Sequence, residues 1–359
     1  MTGQAVGLAL SGGGSRAAAF GLGCLRGLHD RGVLPKVSVV SGISGGSLLA
    51  ALWAYGPPAF DDFDQMTSDL LREGLHKRIA RAAASPALLV QGPVGAARSL
   101  LPAPLRGQRT LNRTDALRRV LADAAFGDKA MPDVTRPGLA TVVTATDLIS
   151  TNAVRFGSLG SACSALGRIA DRITVAEAVA ASAAYPVLLP AVERTYAFEQ
   201  RDGTTRTLPV ALTDGGVYDN LGLTVLEPGR SPAHTGHVYD VDYVVACDAG
   251  RGALTRSTPR LWPGRMTRVF STTYRKTQDA GRARLHEAAA SGALRGFVQP
   301  YLGMPDSRMP VPVADLVPRD RVASYGTDFA AMSQDDLEAL AGRGEQITRA
   351  LLGHYCPEL

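Results

Sequence analysis

Lysine is scarce in this chain. Only Lys36, Lys77, Lys129 and Lys276 occur among 359 residues, so the net charge of +5 and the pI near 9.1 are carried by arginine. A basic balance of this size allows attraction to an anionic lipid surface. It does not make a nucleic-acid binder, because zinc-ligand spacing, an RNA-binding aromatic motif and a block of consecutive cations are all missing. Cysteine is equally sparse. Cys24, Cys163, Cys247 and Cys356 stand far apart with no paired spacing, which excludes a disulfide framework and reads as reduced core residues of a cytosolic protein. No run approaches the roughly 18 apolar residues of a membrane span. The opening Met1-Thr2-Gly3-Gln4 has neither a basic segment nor an apolar one of signal type. The expectation is a cytoplasmic protein, with peripheral contact to a membrane left open. The acidic group Asp61, Asp62 and Asp64 lacks the Gly and distal Glu of a calcium loop and reads as a helix start, so no metal and no cofactor are expected.

Glycine, by contrast, is abundant at 39 residues, while aromatics make up 6%. That pairing suits tight packing of helices on a sheet. Glycine concentrates at two places. In the first, the β-branched run Val37-Ser38-Val39-Val40-Ser41 meets Gly42-Ile43-Ser44-Gly45-Gly46 and then a helix-forming stretch that stops at Gly56-Pro57-Pro58. Strand, glycine-flanked serine and helix is the layout of a nucleophile elbow. Residues two before and two after the serine, Gly42 and Gly46, must be small so that strand and helix can approach.

The second place lies upstream. Strand-like Ala5 to Leu10 runs into Ser11-Gly12-Gly13-Gly14-Ser15-Arg16, followed by a helix to about Arg31. Residues 5 to 46 thus form a β-α-β unit with parallel neighbouring strands. Both glycine-rich turns then emerge at the same sheet edge. Gly12, Gly13 and Gly14 can turn successive N–H groups toward one point beside Ser44, as an oxyanion hole requires, and Arg16 would add positive charge at its rim. The loop also fits a dinucleotide fingerprint through Gly12, Gly14 and Ala17. That reading needs an acidic residue at the end of the second strand, where Ser41 stands instead.

Residues 57 to 137 change character. Ile79 to Leu105 is apolar and basic without an acidic residue, fitting either a lid that meets lipid or an ordinary helical excursion. Strands are expected over 139–146, 152–156, 194–198, 205–210, 243–248 and 296–300. Helices are expected over 175–184, 266–291 and 333–352. Asp214 follows a strand-like run and precedes Gly215-Gly216, so it too can reach the end of a strand. On its own, such an Asp-Gly is most often a turn.

Taken together, Ser11 to Arg16, the elbow at Ser44, Asp214-Gly215-Gly216 and the small-residue segment Ala181-Ser182-Ala183-Ala184-Tyr185-Pro186 resemble the patatin-like phospholipase family in order and spacing over about residues 5 to 250. The resemblance implies an α/β protein of three-layer α/β/α type with a mostly parallel sheet. It also implies one domain over 1–359, with a helical insertion at about 60–137 and a C-terminal extension at 251–359. The activity implied is hydrolysis of a lipid or lysophospholipid ester by a Ser44-Asp214 dyad. Gly12, Gly13 and Gly14 would supply the oxyanion hole, with support from Arg16, Gly42, Gly45, Gly46, Gly215 and Gly216. Ala17 departs from the family's usual Gly. Two rivals remain open: an esterase with a Ser-His-Asp triad using His234, His237, His286 or His354, and a patatin-fold protein that binds lipid or a partner without turnover.

Overall fold

The computed structural model describes residues 4–83, 112–186, 188–252 and 259–359. Strands β1 (Val6–Leu10), β2 (Val37–Gly42) and β3 (Ala140–Asp147) come first. They are followed by β4 (Ala153–Gly157), β5 (Ser161–Cys163), β6 (Gly167–Ile169), β7 (Val192–Glu199) and β8 (Thr205–Asp214), and lastly by β9 (Tyr243–Cys247) and β10 (Gly296–Val298). The first helices are α1 (Gly14–Asp30), α2 (Gly45–Tyr55), α3 (Phe60–Glu73), α4 (His76–Ala83) and α5 (Arg113–Leu121). The later ones are α6 (Val175–Ser182), one-turn α7 (Gly216–Asp219), α8 (Trp262–Ala290), one-turn α9 (Arg319–Val322) and α10 (Gln334–Tyr355).

Strands β10, β9, β1, β2 and β3 lie side by side and parallel, in that order. Alternation along them separates two cores. Leu8, Leu10, Val40, Val143 and Val245 face the larger one under α1, α2, α6 and α10. Ala9, Val39, Val142 and Val244 face a smaller one with Leu221, Leu223, Leu226 and Leu285. Two apolar faces, each covered, are what a parallel sheet needs, and the expected α/β/α layering is present.

The antiparallel share is larger than the sequence reading implied. Strands β3 to β8 pair antiparallel in succession, and β8 returns to β3 through Ala145 opposite Asp214, closing a six-stranded ring. Four of its five links are hairpin-sized and cannot carry a parallel crossover, while the link from β6 to β7 holds α6. The ring has one consequence for the site: β8 ends at Asp214 beside the strand neighbouring the elbow.

The suggested lid segment lies mostly outside the described residues; only its start belongs to α4, which follows α3 directly. Residues 251–359 are integral to the fold. α10 lies across α1 so closely that a Cβ on Gly23 would stand 1.8 Å from the Ala341 carbonyl oxygen, and one on Gly344 would stand 2.2 Å from that of Phe20. Arg343, wholly buried, donates to the carbonyls of Leu302, Met304 and Val317 and pairs with Asp306. Residues 325–332 then run over the start of α1 and the α3–α4 junction: Leu75 and His76 donate to the Phe329 carbonyl, and Met332 donates to Leu71.

This packing makes two glycine substitutions on the paired helices differ in sign. Alanine gains about 1 kcal/mol of helix propensity over glycine. Overpacking against an unyielding backbone costs roughly 1–3 kcal/mol or more. Gly23→Ala should therefore lower the melting temperature, while Gly353→Ala, with nothing within 4 Å, should hold or raise it. Scanning fluorimetry of both variants checks the pair, and a stabilised Gly23→Ala protein would contradict the α1–α10 contact.

Candidate active site

Ser44 occupies the turn between β2 and α2 with φ 51° and ψ −118°, a left-handed conformation that side chains rarely adopt. The surroundings hold it there. A Cβ on Gly45 would lie 2.0 Å from the Gly14 carbonyl oxygen, one on Gly46 2.2 Å from that of Leu10, and one on Gly42 2.6 Å from the Ser47 Cα. The elbow glycines are thus places where backbone touches backbone, which only glycine permits. The Ser44 carbonyl accepts from the Ser47 hydroxyl and from the Leu48 amide, and this starts α2.

Asp214, the last residue of β8, is buried. Its amide donates to the Ala184 carbonyl at 3.0 Å, and its Oδ1 accepts from the Gly216 amide at 2.8 Å. Burial pushes its carboxyl up to about 6, against the opposing pull of the Gly216 amide and of a hydrogen bond from the Ser44 side chain. The fold thus brings together two residues 170 positions apart in sequence. Gly215 is again a contact of backbones, since a Cβ there would come within 2.1 Å of the Thr144 carbonyl oxygen.

The glycine loop faces Ser44 through Gly14, whose backbone abuts Gly45. Gly13 and Gly14 both have positive φ, at 145° and 60°. Among the described residues the amides of Gly13, Gly14 and Gly45 have no acceptor. Gly12 departs from expectation. Its amide donates to the Asn220 carbonyl at 3.0 Å, and its Cα sits against the Asn220 side chain, so it joins the loop to the aspartate turn and leaves the set of free donors. Arg16 is not a rim charge either. It is buried, donates to the carbonyls of Ala249 and Tyr325, and is lowered to about 9 by burial and by Arg251 nearby.

Two contributors escaped the sequence reading. Ser182, at the end of α6, accepts the Ser44 amide on its hydroxyl at 2.9 Å, while its carbonyl accepts the Gly215 amide at 3.2 Å. One residue therefore bridges elbow and aspartate loop; the only signal was its place in the small-residue segment. The second is Ser15, whose amide and hydroxyl both donate to the Asp328 carbonyl, with Thr327 lying against Gly14. No sequence pattern announced that contact. Each histidine of the triad alternative is engaged elsewhere: His237 with Tyr239, His286 with Phe297, His354 with Tyr355, and His234 in a turn closed on Ser231.

The description that matches the chain among protein-family models is patatin-like phospholipase, over residues 8–226. A comparison with curated proteins returns no match. Among solved structures, human GIVD cytosolic phospholipase A2 superposes with a TM-score of 0.57 at 13% identity, covering 98% of this chain and 59% of that one. A complex of human GIVD cytosolic phospholipase A2 with methyl gamma-linolenyl fluorophosphonate inhibitor and terbium chloride gives 0.53 at 15%, covering 98% and 58%. The chain thus spans less than two thirds of the length of those structures, and at such identities the likeness concerns the fold. The family match runs from β1 past Asp214 and takes in more than half of the 359 residues. The chain therefore belongs to the patatin-like phospholipase family.

Proposed function

We propose that this protein is a lipid acyl hydrolase, cleaving phospholipid or lysophospholipid esters with Ser44 as nucleophile and Asp214 as the base. The observation that supports the reading is the Ser44 side chain set against the buried Asp214 carboxyl, with His234, His237, His286 and His354 each engaged elsewhere. An ordinary carboxylate near 4 is a weak base at neutral pH; burial brings Asp214 to about 6, closer to the working range. In the first step the Ser44 Oγ bonds to the ester carbonyl carbon while its proton passes to Asp214. The amides of Gly13 and Gly14 take the resulting oxyanion. Collapse breaks the bond to the alcohol, which leaves with the proton from Asp214. Water then attacks the acyl carbon while giving its proton to Asp214, and collapse breaks the ester bond to Ser44 Oγ, which takes the proton back from Asp214 as the fatty acid leaves. The four buried free cysteines fit a reducing cytoplasmic setting, and the packing of α10 on α1 favours one domain over two.

Labelling with a fluorophosphonate probe is the direct test. The native chain should be labelled and Ser44→Ala should not, with hydrolysis of p-nitrophenyl acyl esters falling by several orders of magnitude in both Ser44→Ala and Asp214→Asn. Substituting His234, His237, His286 or His354 should cost little. A folded Ser44→Ala protein keeping a tenth of native turnover, or one histidine variant losing a thousandfold, would refute the dyad.

The raised Asp214 carboxyl also fixes two pH dependences. As the base it must be ionised, so kcat/KM should rise with an acidic limb near pH 6 and stay flat above it. Stability runs the other way. Between about pH 4 and pH 6 the unfolded chain releases this proton while the folded chain keeps it, so stability falls as pH rises through that window. An elevation from 3.8 to about 6 corresponds to roughly 3 kcal/mol above that window. Asp214→Asn should accordingly melt higher than native at pH 8; an equal or lower melting temperature would show that the carboxylate is not held at a cost.

Ser182 is a positioning residue in this scheme. Ser182→Ala removes the acceptor of the Ser44 amide and should lower kcat by about fivefold, with KM and the pH limb little changed, in line with about 1 kcal/mol for one such bond. A kcat equal to native would show that the elbow needs no such support.

A further inference from the structure

The second half of α8 is fastened to the fold. Arg282 pairs with buried Asp248, Leu285 enters the smaller core, and Gly281 rests against Leu221 and Leu223. Tyr274 marks the change. Its ring meets Tyr185 at 6.3 Å, and the Asp214 charge, along with burial, raises the hydroxyls of both tyrosines, so this pair stands beside the candidate active site. Toward the N-terminus from there, the described apolar side chains face solvent: Leu261 is 76% exposed, Trp262 72%, Val269 57% and Met266 37%.

Spacing arranges these residues. Trp262, Met266, Val269 and Thr273 fall at steps of four, three and four, making one stripe. Leu261, Arg265, Arg268 and Thr272 make the stripe beside it. Charge is one-sided as well. Between Asp248 and Asp279 the sequence contains no acidic residue, whereas Arg251, Arg256, Arg260, Arg265, Arg268, Arg275 and Lys276 are all cationic. Among the described residues Arg260, Arg265, Arg275 and Lys276 form no ion pair. An exposed tryptophan and aliphatic stripe bordered by arginines is the make-up of a helix that lies in a lipid interface.

We propose that the N-terminal half of α8, residues 261–276, docks the protein on an anionic bilayer. Leu261, Trp262, Met266 and Val269 enter the headgroup–acyl boundary, and the arginines bind lipid phosphates. At a rise of 1.5 Å per residue, Trp262 lies about 18 Å along the axis from Tyr274, so docking sets the Tyr185–Tyr274 side of the site toward the lipid. This rests on the hydrolase reading for its purpose, while the docking itself can be measured without turnover.

The experiment uses the full chain carrying Ser44→Ala, sedimented with vesicles of phosphatidylcholine plus phosphatidylglycerol and with vesicles of phosphatidylcholine alone. The mixed vesicles should be bound, more weakly as salt is raised. Trp262→Ala with Val269→Asp should weaken binding by about tenfold or more, since each side chain forfeits apolar burial. Arg260→Gln with Arg265→Gln should weaken binding to the mixed vesicles selectively. Trp262 emission should shift to the blue on binding, Trp53 being buried throughout. Arg260, Trp262, Arg265 and Val269 are all exposed, and melting temperatures check that the variants fold. Absent binding to mixed vesicles, undiminished binding by the Trp262/Val269 variant, or equal binding to both vesicle types would overturn the proposal. So would reversible self-association lost in Val269→Asp, which would assign the stripe to a second copy. A chain that binds vesicles but resists the fluorophosphonate would keep this inference and lose the hydrolase reading.

Discussion

Everything at the candidate site depends on backbone approaching backbone at distances that leave no room for a Cβ. Gly45 lies on the main chain of Gly14, Gly46 on the carbonyls of Leu10 and Ser11, and Gly215 on that of Thr144. These contacts bring three separate stretches of chain to one point without intervening side chains. They also explain why the turn holding Ser44 can keep a positive φ: the flanking strand and helix over-determine it. Substituting any of the three glycines would push two segments apart, so the same atoms that pack the fold set the geometry of the candidate site.

A second constraint is electrostatic. A carboxylate at the end of β8 is buried at a cost, offset in part by the Gly216 amide and the Ser44 side chain. The parallel sheet places β1 and β2 with their carboxyl ends at this edge, and the antiparallel ring delivers β8 to it from the other direction. Neither half alone would bring Asp214 to Ser44. The ring is therefore what brings the aspartate turn to the elbow.

Legibility in the sequence followed locality. Ser44, Asp214 and their glycines were readable because each sits in a local strand-turn pattern whose chemistry shows within five residues. The covered parallel strands were equally plain, as β-branched runs at Val37 to Ser41 and Tyr243 to Cys247. What stayed hidden was every partner chosen by the tertiary fold. Gly12 looks like its neighbours, and only the chain passing at Asn220 diverts its amide. Arg16 reads as a first-turn cation, and only the arrival of Ala249 and Tyr325 buries it. Closure of β8 on β3 had no signature, because ring closure is a property of register between strands far apart in sequence.

The residues beyond the family match show why a fold family does not set the limits of a working site. Residues 325–329 lie over the first turn of α1, where Ser15 is bonded to Asp328 and Thr327 touches Gly14, and the same stretch holds Leu75 and His76 at the α3–α4 junction. Its position is set in turn by α10, which is locked to α1 through Gly23 and Gly344 and to the preceding loop through buried Arg343. The orientation of the Gly13 and Gly14 amides is therefore fixed from two sides, by the elbow beneath and by the C-terminal segment above. An oxyanion hole made of amides works only if they are aimed before the charge develops, since reorienting dipoles during reaction would consume the stabilisation they provide. On the proposed reading, that preorganisation would be shared by a glycine loop within the family's reach and a helix and strap outside it.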